Sequence, residues 1–397
     1  MSTTPADEFF ARCGVMRHRG AAEFWTALAA ECGRDAVGEI EAVLARRSGG
    51  AVDASDVAVF SSDPQRQRAT LDVAAPHTFE WLNVLAGITQ VRAALDLGCG
   101  GGIATCLIAF ANPAARVVGV DANPVAIATA SQVAGELGLD NVEFHVAELS
   151  DADFGRDFDL VVSSAVWAET DDWAHAAGRW SALNDLPALL RTGSARSVLA
   201  QAAARHLADD GMYVSLERCH DLAGLAAWVA AQQNEGLNVD LSRSDMLTID
   251  GALTGPERLP LVTTHRGVQP ANTNDLVQWR LRVGDERLDD HLLAEVVMSS
   301  GGDWALVDGT LYEAAEDDDR FSVALLLLER GTEAKLYFST TRGVREILAS
   351  SPDGGADQFR ALYRSMRQHL GERPSVVSQR AATTDDAVAV VPRAVTS

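Results

Sequence analysis

Lysine is almost missing: Lys335 is the single example in 397 residues, and arginine carries the rest of the basic charge. Chemistry that runs through a lysine Schiff base, pyridoxal phosphate included, would rest on that one side chain. Cysteine is scarce as well. Cys13, Cys32, Cys99, Cys106 and Cys219 are odd in number and contain no C-x-x-C pair. That argues against a zinc ribbon or disulfide framework and for small buried hydrophobes. His, Asp and Glu nowhere cluster at metal-ligand spacing, so no metal site is expected. Apolar runs are short of the roughly 18 residues that suggest a membrane span. The first residues, Met1 to Glu8, are polar and acidic and unlike a secretory signal. Internal repeats are lacking. Basic residues are outnumbered 56 to 33, leaving a net charge of −23. Such a field repels phosphate backbones and anionic lipid, although it also serves solubility. The expectation is a cytoplasmic protein with no nucleic-acid or membrane partner, acting on a neutral or cationic small molecule. Oligomeric state is left open.

What the chain does have is regular patterning. Ala, Glu, Arg and Leu at helical spacing predict helices over 6–32 and 35–46, ended by a break at Ser48–Gly50. A polar stretch containing Asp63-Pro64 follows, then a helix over Thr78–Leu85; residues 1–90 read as a helical N-terminal cap. From there apolar strands at 92–97, 116–120, 142–146, 158–163 and 212–217 alternate with helices at 103–111, 124–137 and 183–208. That alternation implies an α/β domain with a parallel sheet, over residues 91–270. Residues 166–182 form a tryptophan-rich insertion, 221–234 a helix, and Leu237–Asp250 with Arg258–His265 a closing antiparallel hairpin. An α+β C-terminal extension spans 271–375, with a hairpin of Phe321–Arg330 and Ala334–Thr340 and a helix over Ala356–Leu370. The tail 376–397, without periodicity, is expected to be disordered.

The chemistry concentrates at Ala94–Ala104, where a buried strand runs into a glycine cluster and then a helix. That arrangement brings a ligand close to backbone N–H groups. A dinucleotide fingerprint needs its last glycine three residues after the second. Counted from Gly98, that place is Ile103. A phosphate loop needs Gly-Lys-Ser/Thr, and no lysine is here. What remains is Asp96-x-Gly98-x-Gly100-x-Gly102, with Asp121 ending the next strand 25 residues after Asp96. An acid at that strand end is placed to accept from two ribose hydroxyls. Asp96 beside the loop suits a ligand bearing an ammonium.

Four stretches, Leu95–Gly102, Gly119–Asp121, Val142–Glu148 and Phe158–Ser164, resemble the class I S-adenosylmethionine-dependent methyltransferases over about 90–220. The resemblance implies a seven-stranded Rossmann-like methyltransferase sheet with S-adenosylmethionine as cofactor. By it, Asp96 is near the methionyl amine, and Gly98, Gly100 and Gly102 let the ligand approach the backbone. Asp121 binds the ribose, Ala122 touches the adenine, and Glu148, where the family more often has Asp, accepts from its amino group. Cys99, Ala147 and Ser163 complete the cofactor set. The acceptor would face Ser163–Asp172 and Glu217–His220. Asn/Asp-Pro-Pro-aromatic and His-Asp-Trp motifs are both missing there. Candidate catalytic groups are His220, His175 and Glu169, the last able with Asp171, Asp172, Trp167 and Trp173 to hold a cation. The leading reading is methyl transfer to O, N or C of a small molecule, with protein side-chain methylation or a non-catalytic cofactor-binding role as rivals.

Overall fold

A computed structural model describes residues 5–48, 58–155, 158–170, 197–219, 222–253, 257–283, 304–316, 319–341, 345–351 and 356–390. These fall into two compact units: one holds the described residues through 219 and those of 228–271, the other 222–227 and 272–390.

The first unit begins with α1 (Pro5–Cys13), α2 (Ala21–Ser48), α3 (Pro64–Ala74) and α4 (Thr78–Ala86). The break expected between 32 and 35 is a kink inside α2 at Gly33, with φ 84 and ψ 172. The stretch around Asp63-Pro64 is not merely polar loop. Asp63 caps α3, accepting from Arg66 N at 2.9 Å, and Pro64 supplies its first turn. The helix escapes pattern reading because its buried face is partly polar, with Gln67, Thr70 and Asp72 beside Leu71. Phe24, Leu28, Ile40, Val43, Phe60 and Ala69 pack α2 onto α3.

Next come β1 (Ala93–Leu97), α5 (Ile103–Ala111), β2 (Arg116–Asp121), α6 (Pro124–Leu137), β3 (Val142–Val146), β4 (Phe158–Ser164), the short α7 (Trp167–Thr170), α8 (Val198–His206) and β5 (Leu207–Leu216). After α9 (Leu222–Asn234) follow β6 (Asn238–Val239), β7 (Asp245–Ile249) and β8 (Glu257–His265). The sheet order is β3-β2-β1-β4-β5-β8-β6, with β7 as an eighth strand on β8. β1 to β5 are parallel; β8 runs antiparallel to β5, and β6 and β7 each pair with it. The near-continuous apolar runs of β1, β2 and β4 are what a parallel sheet buried on both faces requires. One apolar cluster ties Phe9 of α1, Trp81 and Leu82 of α4, Leu107 of α5 and Val133 of α6 to the strands. Leu97 pairs with Val120 and with Ser163, so the loops after β1, β2 and β4 leave the sheet at one edge. That edge is where a doubly wound sheet offers its crevice.

The second unit carries α10 (Thr273–Val283), β9 (Ala305–Glu316), β10 (Asp319–Arg330), β11 (Glu333–Thr340), β12 (Arg345–Ser351), α11 (Ala356–Gly371), β13 (Val376–Ala381) and α12 (Thr384–Val390). Its antiparallel sheet has the order β12-β11-β10-β9-β13. The unbroken apolar run Val323–Leu328 serves both faces. Val323, Leu325 and Leu327 meet Tyr363 of α11, while Ala324, Leu326 and Leu328 meet Trp304 and Ala387 of α12. The stretch 376–390, read from sequence as part of a disordered tail, is a strand and a helix. Its order comes from tertiary pairing with β9 and from Asp386, which accepts from Arg380 and Thr383. Among the described residues no helix is long and apolar enough to cross a membrane.

Candidate functional site

The edge of the first sheet opens into a cleft of about 1010 Å3. Its floor is Asp96 and the loop Gly98–Gly102; Asp121, Ala122 and Glu148 form one side, Ser164, Ala165, Val166 and Arg218 the other. Gln67, His77 and Trp81, on or beside α3 and α4, close the wall. The cleft therefore runs across the strand ends from β3 to β5.

The loop is shaped by glycine and held by Asp121. Gly102 starts α5 at φ 76, and a Cβ there would lie 2.6 Å from Ala130 Cβ and 2.9 Å from Phe144. No other residue meets both conditions. Gly98 N and Cys99 N donate to Val120 O at 2.9 and 3.0 Å, curling the chain back over β2. Asp121 Oδ2 accepts from Gly100 N and Oδ1 from Asn123 N, each at 2.8 Å. Each carboxylate oxygen keeps acceptor capacity for a ligand hydroxyl. Asp96 is buried and accepts from Thr105 Oγ1 at 2.6 Å. Burial pushes its carboxyl up to about 7, against the Thr105 hydrogen bond and with help from the Asp121 charge. Cys99 also lines the cleft, and burial raises its thiol well above the ordinary range, which disfavours the thiolate.

Two of the expected cofactor residues stand elsewhere. Ala147 is off the wall, its N–H donating to Asp121 O at 3.1 Å. Ser163 points into the protein, 2.6 Å from Glu217 Oε1 and 2.7 Å from Tyr213 Oη, and it is Ser164 that reaches the cleft. A strand end alternates its faces, so a one-residue offset decides which serine is exposed. Of the candidate catalytic groups, His175 and His220 lie outside the described residues, as does the side chain of Glu169. The insertion residues Asp171, Asp172 and Trp173 do too.

Sequence reading missed the groups contributed by the N-terminal helices, whereas it had set the turn after β5, Glu217–His220, facing the acceptor. His77 is buried beside the cleft, and burial with the Arg218 charge lowers its imidazole to about 3. Trp81 Nε1 is buried without a hydrogen-bond partner. Glu217 is fully enclosed and receives Val166 N and Trp167 N at 2.9 Å besides Ser163 Oγ. It thereby fixes the bend at Ala165, whose φ of 57 is unusual for a residue with a side chain. Val166 in turn sits where a Gly98 Cβ would point, at 2.5 Å. The acid at the end of β5 was visible in the sequence; that it turns inward was not.

Residues 89–251 match a family model described as a methyltransferase domain. Among known proteins, a ribosomal RNA small subunit methyltransferase G from Herminiimonas arsenicoxydans is 30% identical over 115 residues, 28% of this chain and 52% of the relative. A ubiquinone biosynthesis O-methyltransferase from Bordetella avium (strain 197N) is 38% identical over 76 residues, 18% of this chain and 31% of that one. The chain thus spans about half the length, or less, of these curated relatives. A solved S-adenosylmethionine-dependent methyltransferase from Aquifex aeolicus aligns at TM-score 0.36 and 14% identity, covering 54% of this chain and 99% of its own.

Proposed function

We propose, from the premise that residues 89–251 are a class I S-adenosylmethionine-dependent methyltransferase domain, that this protein transfers a methyl group to O, N or C of a small molecule. The observation that carries the reading is the single cleft in which the glycine loop, Asp121 and Glu148 share one chamber with His77, Trp81 and Arg218. The first set suits the cofactor: a glycine floor open to the backbone, an acid for the ribose, and a second acid for the adenine amino group. The space beyond, at the β4–β5 end, is left for the acceptor.

Transfer from a sulfonium is an in-line displacement, and orientation with exclusion of water supplies much of its acceleration. His77, held neutral by burial, suits hydrogen bonding to an acceptor group better than taking its proton, because an imidazole lowered to about 3 is a weak base. The charge of −23 favours a small acceptor over nucleic acid. Incubation with S-[methyl-3H]adenosylmethionine and extracts separated into small-molecule, protein and RNA fractions tests this. Label in the small-molecule fraction is the expected result. Label in protein or RNA would move the acceptor class, and tight cofactor binding with no label anywhere would leave a non-catalytic binding role.

A further inference from the structure

Three glycines of the loop have positive φ, but Gly101 does not, so its backbone conformation does not call for glycine. A neighbour does. A Cβ at Gly101 would fall 1.8 Å from Gln67 Nε2 and 2.5 Å from Gln67 Cδ. The amide of Gln67 therefore fills the space that a Cβ at Gly101 would take. Gln67 is only 7% exposed, its Oε1 is buried without a hydrogen-bond partner, and it lines the cleft with Asp96. Leaving that oxygen unpaired is costly, because burial strips it of its hydrogen bonds to water. A position of that kind calls for a ligand.

The helix that carries Gln67 is fastened on both flanks. Thr129 Oγ1 of α6 donates to Ser61 O at 2.7 Å, just ahead of α3, and Arg68 pairs with Glu136 of α6. On the other side Asp72 Oδ2 receives His18 N at 2.7 Å and lies 2.8 Å from His18 Nδ1, both side chains buried. Met16 N donates to Arg68 O at 3.1 Å. The helix that carries the amide is thus set in place before any ligand arrives, which limits the ordering cost of binding.

We propose that Gln67 is a cofactor-binding residue that reads the zwitterionic amino-acid end of the cofactor. The inference rests on the cofactor reading above and extends it to a residue outside the sheet. A primary amide presents a donor and an acceptor whichever way it is turned. Its NH2 donates to the α-carboxylate and its carbonyl accepts from the α-ammonium, with Asp96 below the loop facing the same ammonium. Gly101 is glycine to admit this amide.

Calorimetry separates the possibilities. S-adenosylhomocysteine carries the amino-acid end and 5′-methylthioadenosine lacks it. Gln67→Ala should weaken binding of the first about tenfold and leave the second within twofold. Gln67→Met, which keeps volume and helix propensity, should do the same and so distinguishes lost hydrogen bonds from lost packing. Gly101→Ala should weaken S-adenosylhomocysteine in the wild-type background and add little in the Gln67→Ala background. Unchanged affinity for S-adenosylhomocysteine in Gln67→Met, or an equal loss for both nucleosides, overturns the proposal and leaves the cofactor reading standing. A wild-type protein that binds neither nucleoside overturns both.

Discussion

Glu217→Gln is the substitution whose consequence can be worked furthest. The carboxyl is wholly buried and receives three hydrogen bonds, from Ser163 Oγ, Val166 N and Trp167 N. Burial outweighs those bonds and the Arg218 charge, raising it from 4.5 to about 7. A carboxyl raised on folding stabilises the folded state fully below its unfolded value, and that contribution is lost as pH rises through the folded value. Between pH 5 and 8 the loss amounts to about 2.5 kcal/mol for this one group. Glutamine removes the titration while keeping the contacts, since its carbonyl oxygen can take both N–H groups and its NH2 can face Ser163, whose hydroxyl then turns to Tyr213. The variant should therefore be nearly matched to wild type at pH 5 and gain on it by about 2.5 kcal/mol at pH 8. Urea denaturation at each pH, read as midpoint shifts at constant slope, measures this difference. Other titrating groups are common to both proteins and cancel. A stability difference that stays flat from pH 5 to 8 would falsify the burial argument and mean that the carboxyl ionises at its ordinary value.

The remaining expectations are shorter. Asp121→Ala should weaken S-adenosylhomocysteine by about 1–3 kcal/mol in calorimetry, because the ligand loses hydrogen bonds to a charged group and Gly100 N loses its anchor; normal binding by a folded variant would remove Asp121 from the ribose. Gly102→Ala should cost about 2–4 kcal/mol in denaturation, combining positive φ with the 2.6 Å approach to Ala130 Cβ. His77→Gln should flatten acid sensitivity. With a folded value of about 3 against 6.5, the unfolded chain binds the proton first, so wild-type stability falls by about 3 kcal/mol from pH 7 to 4 through this group. Equal slopes in the two proteins would show that the imidazole is not desolvated.

Much of this protein is legible in one dimension. β1, β2 and β4 announce themselves because a strand buried on both faces must be apolar throughout. The glycine loop and Asp121 are equally plain, since positive φ and a strand-end carboxylate leave few residue choices. The glycine spacing discards the dinucleotide reading, and the lack of a lysine discards the phosphate loop. The α3 helix, β13 and the inward turn of Glu217 are a different matter. α3 buries Gln67, Thr70 and Asp72, β13 is ordered by its ladder to β9 and the Arg380–Asp386 pair, and Ser163 and Ser164 exchange roles by one step of pleat. The sequence by itself determined the sheet and the glycine loop, because local backbone geometry and burial dictate those residue types. Only the tertiary structure decided what completes the chamber: Gln67, His77 and Trp81 reach it from helices distant in the chain, and their residue types answer to partners that no local pattern records.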